Sequence, residues 1–222
     1  MTDTPTLGAV IITENEATNI AECLAMLHFC SEIIVLDSGS TDDTTALAVK
    51  AGATVVTRTD WQGYGVQKQR ALELATTDWV LSIDADERVP EALAAEILDA
   101  VAHPKHAGYR LNRRTMFLGR FLKHGGWYPD QVVRLARRDA CQFSGSIVHE
   151  EMQITGSVGA LDEPMLHYSY RTIDDVLTKL RAYALASAKV RRARGRRGGL
   201  FSALLRANLA FVKAYVLQAG FL

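Results

Sequence analysis

The chain has 222 residues, 48% of them apolar, with 25 basic and 25 acidic side chains and a formal net charge of zero. That length fits one large domain or one domain with an appendage, and the charge balance excludes whole-molecule attraction to nucleic acid. Cys23, Cys30 and Cys141 match no zinc or redox spacing, and an odd count builds no disulfide framework, so a reducing cytosol is the expected setting.

Met1 to Leu7 is short and polar and lacks the charged-then-apolar pattern of a signal peptide. Leu7 to Thr13 is an apolar, β-branched run that predicts a buried strand. Asn19 to His28 has helical spacing at Ile20, Leu24 and Leu27. Glu32 to Asp37 (EIIVLD) is a second strand, and the turn Ser38-Gly39-Ser40-Thr41-Asp42-Asp43 offers a cap for a helix over Thr44 to Lys50 that Gly52 ends. Ala53 to Thr57 is a third strand, Tyr64 to Ala75 a helix, and Asp78 to Ile83 a fourth strand. Pro90 and Glu91 begin another helix. Strands alternating with helices predict a parallel sheet with right-handed crossovers. Beyond residue 105 the alternation stops. Tyr109 to Arg114, Gln131 to Ala136 and Ala140 to Phe143 are shorter strands between Gly-rich loops, Thr172 to Arg194 is a long helix, and Leu200 to Leu222 is a last apolar helix. The acids dominate the first hundred residues and the bases the remainder.

The segment Trp79-Val80-Leu81-Ser82-Ile83-Asp84-Ala85-Asp86-Glu87 carries the most chemistry. An apolar strand ends in three carboxylates at the position where ligands sit in open α/β sheets. Two acids one residue apart repel unless a cation lies beside them, and Mg²⁺ or Mn²⁺ is held by one or two carboxylates together with substrate phosphates. Asp84 and Asp86 are therefore candidate metal ligands for a phosphorylated substrate; the plain alternative is an acidic helix N-terminus. The tips Thr13-Glu14-Asn15-Glu16 and Asp37 to Asp42 fall on the same sheet edge. Asp37 could equally close an Asx-turn or cap a helix. No Gly-Lys-Ser/Thr phosphate loop and no G-x-G-x-x-G follows a strand, which disfavours ATPases and dinucleotide dehydrogenases.

AVIITENEATNI, IIVLDSGSTDDT and QKQRALELATTDWVLSIDADE, in that order, resemble the nucleotide-binding half of family 2 glycosyltransferases, the inverting GT-A group, over residues 7 to 100. FLGRFLKHGGWYPDQVVRLARR followed by FSGSIVHE is similar to the subgroup containing bacterial lipopolysaccharide core β-1,4-glucosyltransferases. The resemblance implies an α/β GT-A fold, a Rossmann-like mixed sheet flanked by helices. Residues 1–170 would be catalytic, with a nucleotide half at about 7–100 and an acceptor half at about 101–170, and 171–222 would be a C-terminal helical appendage. It implies that Asp37 contacts the uracil of a UDP-sugar, with Thr13, Glu14 and Glu16 near the nucleoside. Many members have a second acid where this chain has Ser38, so Asp37 would carry that contact alone. Asp84 would hold the ribose and Asp86, above all, the metal at the diphosphate. Lys68 either faces the donor or lies on a solvated helix face. In Val148-His149-Glu150-Glu151 the matched base is Glu150, with Glu151 and Asp130 in reserve; His149 is a metal, diphosphate or acceptor contact, or a plain hydrogen-bonded histidine. Trp127 and Tyr128, in HGGWYPD, line the sugar or acceptor site or serve as core packing.

At the C-terminus, Lys189, Arg191, Arg192, Arg194, Arg196 and Arg197 precede the apolar helix, and Arg206 and Lys213 share one of its faces. This pattern suits a helix lying in an anionic membrane interface; a helix docked on the domain is the alternative. No uncharged apolar run reaches about 18 residues, so a membrane span is not expected. The reading is thus an enzyme peripheral to the cytoplasmic face of the inner membrane, which moves a hexose, glucose in the subgroup it resembles, from a UDP-sugar to a saccharide or lipid-linked acceptor. It would use Mg²⁺ or Mn²⁺ and no nucleic acid. A sugar-phosphate nucleotidyltransferase and a non-catalytic nucleotide-sugar-binding module are the rival readings.

Overall fold

The computed structural model describes residues 4–144, 151–193, 195 and 199–221. The chain forms two compact units, one of Met1–Arg113 with Gln131–His167 and one of Arg114–Asp130 with Tyr168–Leu222.

The first unit is built on β1 (Leu7–Thr13), β2 (Glu32–Asp37), β3 (Thr54–Thr57) and β4 (Trp79–Asp84), joined by helices α1 (Ile20–Ala25), α2 (Thr44–Lys50) and α3 (Tyr64–Leu74). β1 pairs in parallel with both β2 and β4, with Thr13 beside Asp37 and Ile12 beside Asp84. The polar tips of three strands are thereby side by side, as their spacing in the sequence predicts. After β5 (Glu87–Arg88) and α4 (Glu91–Ala102) come β6 (Gly108–Phe117), the short β7 (Arg120–Phe121), β8 (Asp130–Arg137), the hairpin strands β9 (Cys141–Phe143) and β10 (Met152–Ile154), and β11 (Val158–Tyr170). The main sheet runs β3-β2-β1-β4-β8-β6-β11-β5, with β8 antiparallel to β4 and β11 antiparallel to β5. It is the mixed sheet flanked by helices that the resemblance implies.

β1 and β4 are buried along nearly their whole length, as strands covered on both faces must be. Alternation divides their side chains. Ala9 and Ile11 pack with Ile20, Leu24, Leu93 and Ile97 on one face, and Val10 packs with Ala71, Leu72, Phe143 and Met152 on the other. Each such Leu or Ile contributes about 1.5–3 kcal/mol by leaving water.

The sequence reading has no strand at 158–170. That segment contains Asp162, Glu163 and Pro164, and its buried side chains are Leu161, Met165 and Ser169, four apart where a strand is expected to repeat every two. The irregular stretch is held from outside the sheet: Glu96 accepts the amides of Asp162 (2.8 Å) and Glu163 (2.9 Å).

In the second unit, Leu118 and Gly119 both have positive φ, 48° and 84°, and make the two-residue turn between β6 and β7. Helix α5 (Ile173–Ala193) starts from a reciprocal cap: Asp175 accepts the Thr172 amide at 2.8 Å, and Thr172 Oγ1 accepts the Asp175 amide at 3.2 Å. Helix α6 (Leu200–Phe211) continues into a π-helical stretch, Val212–Leu217. Together, Leu200–Leu217 are long and apolar enough by length and composition to cross a membrane, with only Arg206 and Lys213 charged, and none of the run is buried. The sequence criterion of an uncharged run missed it because of those two bases.

Candidate functional site

The C-terminal ends of β1, β2 and β4 form a charged cluster within the first unit. Asp84, the last residue of β4, is held from two sides: Lys68 Nζ lies 3.0 Å from Oδ1, and Arg134 Nη2 donates a short hydrogen bond to Oδ2. Lys68 is buried on α3, so it faces Asp84, not solvent. Burial disfavours ionised Asp84, but the Arg134 guanidinium and the Lys68 ammonium outweigh it and hold the carboxyl well below the usual carboxylate range. For Arg134 burial opposes the charge, and Asp84 and Glu87 reverse that, so its pKa is raised.

Glu87 is fully buried. Its Oε2 accepts the Asp84 amide at 2.9 Å, its Oε1 accepts from Arg134 Nη2 at 2.6 Å, and Arg113 Nη1 lies 3.6 Å away. The buried Arg88 donates to the carbonyls of Ala85 (2.8 Å) and Glu87 (2.9 Å) through Nη1, and to Asn19 O (3.1 Å) and Glu22 (3.2 Å) through Nη2, tying the 84–88 turn to α1. A buried charge persists only with partners of this kind. The second acid, Asp86, points to a different group: His167 Nε2 lies 3.2 Å from its Oδ2. The pairing of β5 with β11 sets His167 opposite Glu87 and so beside Asp86.

Arg134 and His167 belong to this cluster and were not named from the sequence. Arg134 had a visible signal, since a lone arginine inside the apolar run QVVRLA of an interior strand requires a buried acidic partner. His167 had none, because its strand was not recognised.

Asp37 is buried, and its carboxylate is occupied by its own turn. It accepts the amides of Gly39 and Ser40, each at 2.9 Å, and the hydroxyls of Ser40 and of Thr13, the latter at 3.2 Å. Four bonds fill the acceptor sites of a carboxylate, so the Asx-turn reading describes its contacts here. Gly39 takes φ 105°, which the turn requires. The loops after β1 and β2 are stitched together. The Asn15 amide donates to Ser40 Oγ (2.9 Å), Asn15 Oδ1 accepts the Thr41 amide (2.9 Å), and the Glu16 amide donates to Thr44 Oγ1 (2.8 Å). Glu16 also accepts from Asn19 Nδ2 at 2.6 Å, and Glu14 is exposed.

Of the acceptor-side candidates, Glu151 is exposed at the foot of the β9–β10 hairpin, where Ser144 N donates to its carbonyl at 3.1 Å. His149 and Glu150 lie outside the described residues. Trp127, Tyr128 and Asp130 belong to the second unit. Trp127 is 38% exposed and packs edge-on against Tyr170 at 5.6 Å, and Arg114 sits 4.9 Å over the Tyr128 ring. Asp130, half-buried, opens β8. Burial pushes the Cys23 thiol up to about 12, which leaves it an inert neighbour of the Asp84 carbonyl.

Among the described residues no three His, Cys, Asp or Glu side chains cluster as a closed metal cage. Asp86 and His167 supply one oxygen and one nitrogen donor. The carboxylate is a ligand type that hard cations take and the imidazole one that borderline transition metals take, so a divalent cation held here would complete its shell with water and substrate phosphate.

Comparison with known proteins identifies the family and the fold. The glycosyl transferase family 2 profile matches residues 9–149. The lipopolysaccharide core biosynthesis glycosyltransferase LpsC of Rhizobium meliloti is 32% identical over 221 residues, covering 94% of this chain and 80% of its own. Staphylococcus aureus TarS 1–349, also solved with UDP-GlcNAc, superposes with a TM-score of 0.57 at 16% identity, over 74% of this chain and 60% of TarS 1–349. Mannosyl-3-phosphoglycerate synthase from Rubrobacter xylanophilus superposes with a TM-score of 0.55 at 20% identity, over 88% and 77% of the two chains. The chain belongs to glycosyl transferase family 2, an enzyme family, and has the GT-A fold.

Proposed function

We propose that this glycosyltransferase moves a hexose from a UDP-sugar to a lipid-linked saccharide of the lipopolysaccharide core type, with inversion at the anomeric carbon. The observation that carries the donor side is the pair Asp86–His167 beside the cation-held Asp84, at the end of three parallel strands. LpsC, by its name, acts in lipopolysaccharide core biosynthesis, and TarS has been captured with UDP-GlcNAc; both support the choice of substrates.

In this reading Asp86 and His167 hold a divalent cation, Mg²⁺ or Mn²⁺. When bound, that ion supplies positive charge against the diphosphate leaving group. Asp84 accepts from the ribose hydroxyls, and Lys68 and Arg134 keep its carboxylate ionised and fixed. The acceptor hydroxyl oxygen attacks the anomeric carbon as the bond to the UDP oxygen breaks, and its proton passes to the Glu150 carboxylate. Glu151 and Asp130 are the alternative bases.

The C-terminal segment fits an acceptor embedded in a bilayer. From Val176 to Leu222 there are ten Lys and Arg and no Asp or Glu. Leu200, Phe201, Leu204 and Leu209 of α6 are more than half exposed. Basic side chains meeting anionic lipid and apolar ones entering the acyl boundary would hold the enzyme on the cytoplasmic face of the inner membrane.

Incubation with a panel of nucleotide-sugars, Mg²⁺ or Mn²⁺, and lipopolysaccharide core acceptors tests the reading. UDP release with a new glycoside is expected. Turnover of a purine or cytidine nucleotide-sugar alone would refute the donor assignment.

A further inference from the structure

Within the second unit, the turn after β7 and the π-helical end of α6 enclose a cleft of about 390 Å³, a size typical of small-ligand sites, roughly 300–1,000 Å³. Arg120, Lys123 and His124 line one wall; Trp127, Phe211 and Tyr215 provide aromatic faces. The three basic side chains are exposed, no acid lines the cleft, and among the described residues none of the three pairs with a carboxylate.

The walls are fixed by their own contacts. The Gly125 amide donates to Gln218 O at 2.8 Å. Gly126 has φ +78°, and a Cβ there would lie 2.5 Å from Gln218 Oε1. Phe211 and Tyr215 stack at 5.1 Å and 11°, and Trp127 is braced by Tyr170. A free phosphate would use the cations and leave the aromatic wall idle. A neutral saccharide would find no carboxylate to accept from its hydroxyls. A phosphate joined to an apolar chain uses both walls, and the aromatic one continues into the exposed apolar surface of α6.

We infer that this cleft binds the phosphorylated end of an anionic lipid, with the phosphate against Arg120, Lys123 and His124 and the first acyl carbons along Trp127, Phe211 and Tyr215. The inference deepens the transferase reading and rests on it for one point, that the lipid bound is the acceptor's carrier.

Titration of the full chain with monomeric dihexanoyl phosphatidic acid, followed by calorimetry and tryptophan fluorescence, tests it against dihexanoyl phosphatidylcholine and inorganic phosphate. Phosphatidic acid should bind at least about tenfold more tightly than either. The double variant Arg120→Gln/Lys123→Gln should lose about tenfold or more, and so should Tyr215→Ala. Lys123→Gln alone, at an exposed side chain, should weaken binding without changing the melting temperature. Equal binding of phosphatidylcholine would reduce the cleft to a greasy patch, equal binding of phosphate to a bare anion site, and unchanged variants would move the lipid elsewhere; each overturns the inference. UDP titration of the same samples reads the donor side. Absent lipid binding with UDP binding intact removes this inference alone, and the converse removes the donor reading alone.

Discussion

Arg134→Met isolates the charge lock beneath the site. Methionine keeps much of the side-chain volume and removes the guanidinium that bridges Asp84 and Glu87. Asp84 loses its larger charge partner but keeps Lys68 at 3.0 Å and is 30% exposed, which offsets part of the loss. Glu87 has no exposure and is left with the Asp84 amide and the more distant Arg113 at 3.6 Å. Orphaning a buried charge costs about 3–5 kcal/mol; the Asp84 amide and Arg113 that Glu87 keeps place this case near the lower end, about 3 kcal/mol. For a chain of this size that is about 6–12 °C in melting temperature. Urea unfolding followed by circular dichroism measures it. The paired variant Arg134→Met/Glu87→Leu should recover at least about 1 kcal/mol, because the fully buried carboxylate is then gone and Arg113 is partly exposed to water. The acid limb gives an independent check. Asp84 has a folded pKa below its unfolded value of about 3.9. Its contribution is therefore complete above about pH 4 and is lost as pH falls further. Asp84→Asn should flatten that limb. A loss under about 1 kcal/mol in Arg134→Met, with no recovery in the pair, would refute the lock.

Asp86→Ala and His167→Ala should each abolish UDP-sugar turnover while leaving the melting temperature nearly unchanged; full activity in either, or in excess EDTA, would sink the cation assignment. Glu150→Gln should slow turnover by on the order of 10²–10⁴ with UDP-sugar affinity retained; a benign Glu150→Gln beside a dead Glu151→Gln would move the base to the neighbour. Replacing Arg191, Arg192, Arg194, Arg196 and Arg197 with Gln should weaken co-sedimentation with anionic vesicles steeply, at about 1 kcal/mol per residue near the surface, and salt should mimic the change. No lipid-dependent sedimentation of the unaltered chain at low salt would contradict an interfacial helix.

Legibility in the sequence followed the regularity of burial. The first four strands carry apolar runs bounded by turn residues and were readable to within a residue or two at their ends, and with them the sheet edge that bears Thr13, Asp37 and Asp84. The acidic tip was readable as a site because carboxylates at a strand end need partners. Which partners they have was not, because Arg134 and His167 reach them by antiparallel pairings between segments far apart in the chain. β11 escaped notice because its buried residues do not alternate and its acids suggest a loop. Asp37 shows the limit of a motif: the same residue type at the same place serves a turn or a ligand, and only its hydrogen bonds distinguish them.

The route by which His167 reaches Asp86 also imposes an order of assembly. β5 leaves the sheet's acidic tip early in the chain, but its partner strand comes only after α4, β6, β8 and the β9–β10 hairpin. Closing so long a loop carries an entropic cost that must be met before the contact returns anything. On a ribosome, the carboxylates of residues 84 and 86 therefore emerge well before the histidine, and a nascent chain stopped short of β11 lacks His167. If Asp86 and His167 hold a cation as proposed, the pair is complete only once β11 has joined the sheet.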